Sequence, residues 1–183
     1  ANAIIRSALL AAQPDTAVQK ALSQLEIVPG GRLLVIALGK AAWQMARAAH
    51  DALGAAITQG LVITKYGHSG GEIQGFTVRE AGHPVPDSQS FAATKEALDL
   101  ARGLSSRDTV LLLISGGGSA LFEMPLISAD ELADITRQLL ASGADIREMN
   151  TIRKRLSAVK GGRFALACQP ARVVSIILSD IIG

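Results

Sequence analysis

A chain of 183 residues is long enough to bury one sizeable core, and a single domain is the expectation. Hydrophobic residues at 49% against charged residues at 19% suit strands buried on both faces and argue against disorder. With 18 basic and 16 acidic groups, a net charge of +2 and only 3% aromatics, the sequence lacks both the basic field and the stacking platforms of a dedicated nucleic-acid binder.

Taken in chain order, residues 2–26 carry helical spacing broken at Gln13-Pro14-Asp15-Thr16. This predicts an N-terminal helical hairpin whose second arm is capped by Asp15 and runs to about Glu26. After a turn at Pro29-Gly30-Gly31, Arg32–Leu38 is an unbroken apolar run of strand length, followed by Gly39-Lys40 and an alanine-rich helix to about Leu53. Gly60–Thr64 and the shorter Thr77–Glu80 read as strands, with a helix from Asp87 to about Arg102. Asp108–Ile114 is the clearest strand. A helix is expected over Asp145–Phe164, packed by a stripe of Met149, Ile152, Leu156 and Val159 and presenting Asn150, Arg153, Lys154, Ser157 and Lys160 on its other face. Arg172–Leu178 closes the series as a last strand.

Buried strands alternating with helices imply crossover connections. The expected fold class is α/β: three layers, α/β/α, around a mostly parallel Rossmann-like sheet, forming one α/β domain over residues 1–183. Ligands of such sheets sit beyond the carboxyl ends of the strands, which directs attention to the residues after Leu38, Thr64, Glu80, Ile114 and Leu178.

The strongest local signal is Ser115-Gly116-Gly117-Gly118-Ser119, directly after a strand. Glycines let successive backbone amides approach anionic oxygens, so the segment reads as a phosphate or carboxylate cradle; the plainer alternative is a tight turn. A phosphate-binding P-loop is absent, because Gly39-Lys40 is followed by Ala41. The dinucleotide fingerprint is incomplete, with Leu121 where its third glycine would stand and no acidic residue at the end of a second strand. Lys40 lies at a strand-to-helix junction, placed either to neutralise a transferring phosphoryl group or to be an ordinary solvated lysine. Lys65 and His68 carry the same two readings. Glu80, His83 and Asp87 share a segment stiffened by Pro84 and Pro86, with helix capping the usual task of an aspartate at Asp87. Asn150, Arg153, Lys154 and Lys160 suit an acidic substrate or a polyphosphate, against the alternative of a solvated helical face. Asp180, after the last strand, offers a carboxylate for Mg²⁺ or a cap. The single cysteine, Cys168, excludes an internal disulfide and a cysteine-rich metal site, and a soluble, cytoplasmic protein is expected in the absence of a leader-like or membrane-spanning apolar run.

Six blocks in fixed order resemble the glycerate 2-kinases associated with the MOFRL domain. They are Ala37-Leu-Gly-Lys40-Ala-Ala, Thr64-Lys-Tyr-Gly-His68, Glu80-Ala-Gly-His-Pro-Val-Pro-Asp87, Ile114-Ser-Gly-Gly-Gly-Ser-Ala-Leu121, Met149–Ser157 with Lys160-Gly-Gly-Arg163, and Leu178-Ser-Asp180. The resemblance implies transfer of phosphate from ATP to the 2-hydroxyl of D-glycerate with Mg²⁺. It casts Lys40 as the catalytic cation, Ser115, Gly116, Gly117, Gly118 and Ser119 as the phosphate grip, and Asp180 as the metal ligand. Lys65, Glu80, His83, Asn150, Arg153, Lys154 and Lys160 would then hold substrate. Members labelled hydroxypyruvate reductase make an NAD(P)-dependent reductase the rival activity, and an inactive, self-associating α/β module a further alternative. Family members continue into a C-terminal, MOFRL-containing half beyond the stretch matched here, so the chain by itself is expected to bind weakly and turn over slowly. Partners expected are D-glycerate as small-molecule substrate, no nucleic acid and no membrane, with room left for a homodimer.

Overall fold

The computed structural model describes residues 14–179. The first arm of the expected N-terminal hairpin and the candidate metal ligand Asp180 lie outside them. The second arm is helix α1 (Pro14–Leu22), which departs from expectation at its start. Pro14 occupies the first turn, where its missing N–H costs nothing. Asp15 is therefore inside the helix rather than its cap, and its carboxylate accepts a hydrogen bond from Gln44 Nε2 at 2.7 Å.

Five parallel strands, β1 (Leu33–Leu38), β2 (Gln59–Lys65), β3 (Phe76–Ala81), β4 (Thr109–Ile114) and β5 (Arg172–Ile177), form one sheet in the order β3-β2-β1-β4-β5. Every residue of β1 is buried, and its side chains alternate between two cores, as the period of a strand requires. Leu33, Val35 and Ala37 pack with Val18 and Leu22 of α1 and with Ala42, Met45, Ala46 and Ala49 of α2 (Ala42–Leu53). Leu34, Ile36 and Leu38 pack on the opposite face with Ala93 and Ala97 of α3 (Ser88–Leu100), with Leu121 of the single-turn α4 (Gly118–Leu121), and with Phe164. The alanines let α2 and α3 approach the sheet closely, so the three layers follow from side-chain size as much as from hydropathy.

The chain moves outward from β1 through β2 to β3, then crosses to the other side of β1 to lay down β4. Adjacent strands β1 and β4 thus send their connections to opposite faces, and a crevice opens at their carboxyl ends. Leu38 and Ile114, the last residues of the two strands, are directly paired there.

Between β4 and β5 lie α5 (Ala129–Ala141), α6 (Ile146–Arg155) and α7 (Arg163–Ala167). The helix expected from Asp145 to Phe164 is therefore two helices with a turn between them. Arg163 donates from Nη1 to the carbonyl oxygens of Lys154, Arg155 and Ser157, satisfying the end of α6 from outside. Ser157 forms an isolated antiparallel bridge with Pro125, and Gly161 and Gly162 take positive φ before α7. Among the described residues no helix is long and apolar enough to cross a membrane.

Candidate functional site

The two loops at the β1–β4 crevice are tied to one another. Lys40 N–H donates to Gly116 O at 2.9 Å, and Ala41 N–H donates to Ser115 Oγ at 3.0 Å. Ser115 Oγ also donates to Leu38 O at 3.3 Å, so this hydroxyl joins the loops together. Contact is close enough to require glycine at position 39: its φ is +117°, and a Cβ there would lie 2.5 Å from the Ser115 carbonyl oxygen. Gly117 is equally constrained. Its φ is +88°, and a Cβ would meet the His83 ring at 2.9 Å and Lys40 Cγ at 3.3 Å.

This packing gathers Lys40, His83 and the glycine loop, which are far apart in sequence, around one point. The amide N–H groups of Gly116 and Gly117 donate to no acceptor among the described residues. Lys40, Lys65 and Lys154 make no ion pair among them either. Unused backbone donors beside uncompensated cations are the chemistry of an anion site. The helix after the loop is only one turn long, so these amides and cations, rather than a helix dipole, supply the attraction.

His83 is half-buried, and its pKa lies below that of an ordinary histidine. Burial is the main cause, followed by the positive charges of Lys40 and Lys65 and by the neighbouring His68. At neutral pH it is accordingly a neutral imidazole able to accept a proton. His68, beyond β2, is held with Nδ1 at 3.2 Å from Lys40 O, which ties the two loops on that side.

Glu80 faces inward to its own loop. Its carboxylate accepts the Ser69 N–H at 3.0 Å, and the Ser69, Gly67 and His68 groups hold its pKa below the usual carboxylate range. Asp87 caps α3 in a capping box with Ser90 and receives the Tyr66 hydroxyl at 2.8 Å. Burial acts to raise the Asp87 pKa, but the hydrogen bonds from Ser90, Tyr66 and Gly82 outweigh it and keep the group ionised.

On the other side of the glycine loop a cleft of about 320 Å³ is lined by Leu38, Ile114, Gly118, Ser119 and Phe122 and by Asn150, Lys154 and Lys160. Lys154 and Asn150 come from α6, whereas Lys160 enters from the turn beyond it. Arg153 is not part of this lining, although its charge bears on Lys160. Lys160 donates to Phe122 O at 3.1 Å and to Glu123 Oε2 at 2.5 Å. Glu123 goes unremarked in the sequence because it is a lone acid within Leu121-Phe-Glu-Met124; an acid inside an apolar run is the one signal that marks it.

No cluster of three or more His, Cys, Asp or Glu side chains suited to a metal occurs among the described residues. Cys168 is buried, its thiol pushed up to about 11 by burial, and is chemically inert.

The whole chain, residues 1–183, matches the family described as a domain of unknown function (DUF4147). A D-glycerate 2-kinase of Thermotoga maritima is 50% identical over 182 residues, covering 98% of this chain and 43% of the relative. A glycerate 2-kinase of Pyrococcus horikoshii is 44% identical, covering 98% of this chain and 42% of its own length. A protein of Agrobacterium vitis that carries a provisional hydroxypyruvate reductase name is 41% identical over 98% of this chain and 41% of its own. The crystal structure of the Thermotoga maritima glycerate kinase superposes with a TM-score of 0.91 at 50% identity, over 97% of this chain and 43% of that one. The chain thus spans less than half the length of the relatives it matches. With its full length matched and half its residues shared with a relative of the same fold, the chain belongs to the DUF4147 family and is homologous to the glycerate 2-kinases.

Proposed function

We propose that the crevice between β1 and β4 grips the phosphates of ATP and the carboxylate of D-glycerate, and serves phosphoryl transfer to the 2-hydroxyl in a glycerate 2-kinase. One observation carries this reading: the unused amides of Gly116 and Gly117 lie beside the Lys40 and His83 side chains, with unpaired cations on both flanks. Phosphoryl transfer needs little covalent chemistry from a protein, and depends on position and on neutralising charge shared among the phosphoryl oxygens.

In this account the glycine-loop amides hold phosphate oxygens, and the Lys40 ammonium follows the charge that builds as the phosphoryl group moves. Neutral His83 accepts the proton of the attacking hydroxyl. Asn150, Lys154 and Lys160 hold further anionic oxygens, and Leu38, Ile114 and Phe122 exclude water from that side. Arg153 contributes charge from outside the cleft wall, Ser119 a hydroxyl within it, and Lys65 charge toward His83. Ser115 and Glu80 act through the loops they fasten. Magnesium would neutralise phosphate charge, with Asp180 as its expected ligand. Among the described residues no group of three or more His, Cys, Asp or Glu ligands occurs, and no step here depends on the metal.

The reductase alternative requires a dinucleotide, and the loop carries Leu121 where that fingerprint needs a third small residue. The deciding assay offers the naturally encoded protein ATP, Mg²⁺ and D-glycerate, with hydroxypyruvate and NADH or NADPH in parallel. ADP and 2-phosphoglycerate are expected. Oxidation of the nicotinamide without phosphorylation would transfer the reading to a reductase.

A further inference from the structure

Glu123 is 1% exposed, and one of its carboxylate oxygens, Oε1, has no hydrogen-bond partner among the described residues. Its other oxygen receives the Lys160 ammonium, and its backbone N–H donates to Thr94 Oγ1 at 3.0 Å. A buried carboxylate is expensive even when paired, and more so with one oxygen unpartnered, so packing alone is a poor account of this residue.

An ammonium has three N–H donors. Lys160 spends two inside the protein, on Phe122 O and Glu123 Oε2, while its side chain lines the cleft with Asn150 and Lys154. The cleft lining contains no carboxylate and carries Lys154 as a second cation, and beyond Glu123 the charge bearing on Lys160 is that of Arg153. We propose that Glu123 is the positioning residue of this site: from behind the cleft wall its carboxylate fixes the Lys160 ammonium so that the remaining N–H meets an anionic oxygen of the ligand. The inference rests on the phosphate- and carboxylate-binding reading of the crevice.

Burial and the Arg153 charge both favour loss of the Lys160 proton, and Glu123 opposes them. Replacing Glu123 by glutamine keeps the shape and removes the opposing charge. Lys160 should then deprotonate at lower pH and hold its ligand less well.

The test is made on the naturally encoded protein and on its E123Q, K160M and E123M/K160M variants. The first readout is the pH dependence of Lys160 reductive methylation, followed by mass spectrometry in the absence of ligand. In E123Q the reactive, neutral amine should emerge at lower pH than in the parent. The second readout is KM for ATP and D-glycerate against kcat. E123Q should raise KM for one of them about tenfold, the order expected when a charge-assisted hydrogen bond is weakened, and combining the changes should add little to K160M. The double variant guards against misfolding, because apolar residues in place of a buried ion pair are commonly tolerated. An unchanged methylation profile together with unchanged KM in E123Q would overturn the proposal, as would a double variant with parental affinity. If the protein phosphorylates no glycerate, the functional reading fails separately. Binding of inorganic tripolyphosphate then replaces KM, and parental affinity in E123Q sinks the proposal.

Discussion

His83 shows how the surroundings of one side chain set its chemistry. Burial, the charges of Lys40 and Lys65, and the neighbouring His68 all work against its protonation. A base of this kind is active when neutral, so kcat/KM should rise with pH through a transition below the ordinary histidine value and level off above it. Replacing His83 by asparagine should remove that acid limb and lower the plateau by about a hundredfold, read from a pH–rate profile. An acid limb that survives in H83N would assign the titration to another group. Glu80 and Asp87 lie close in sequence but do other work: one fastens the loop after β2, the other caps α3. Nothing in their spacing separates these duties, because an acid that holds its own backbone and an acid that holds substrate look alike until the hydrogen-bond partners are known.

At the scale of the elements, the site depends on two loops that touch only because each has glycine at the contact. Introducing alanine at Gly117 would force φ of +88° on a residue with a Cβ and press it against His83 and Lys40. G117A should cost about 1–3 kcal/mol of stability and lose most of its affinity for ATP, measured by thermal melting and calorimetry. The five strands were legible because buried parallel strands read as short apolar runs, and the sites just beyond them followed from that topology. The segment Asp145–Phe164 was harder. A stripe from Met149 to Val159 keeps helical spacing across a turn, since Leu156 and Val159 remain apolar after α6 has ended. What ends it is Arg163, whose guanidinium takes the last carbonyls of α6 from several residues away, and a contact of that kind has no local sequence pattern. Helix α5 escaped the hydrophobic reading because it buries none of its residues, although Ser128-Ala-Asp-Glu131 carries its capping box.

Across the whole molecule, the sheet is anchored at the end away from the site by Asp108. Its carboxylate accepts N–H groups from the backbone of Arg32 and Ser105, and pairs with the Arg32 guanidinium at 2.8 Å. Led by the Arg32 side chain, these bonds depress the Asp108 pKa far below the usual range. The contribution is therefore complete above the unfolded value, near about 4, and is lost as pH falls toward the folded one. D108A should destabilise the protein by about 3 kcal/mol at neutral pH, with the gap from the parent closing in acid, as urea melts at several pH values would show. Because this anchor lies at the opposite ends of β1 and β4 from the crevice, it separates stability from chemistry in any variant series. The central claim is that the β1–β4 crevice carries phosphoryl transfer, with Lys40 at its centre. The most direct measurement is kcat for ATP-dependent phosphorylation of D-glycerate by the K40M variant, alongside its melting temperature. A fall of about 10²–10³ in kcat with parental stability is the predicted result. Phosphorylation at the parental rate by a folded K40M protein would contradict the account.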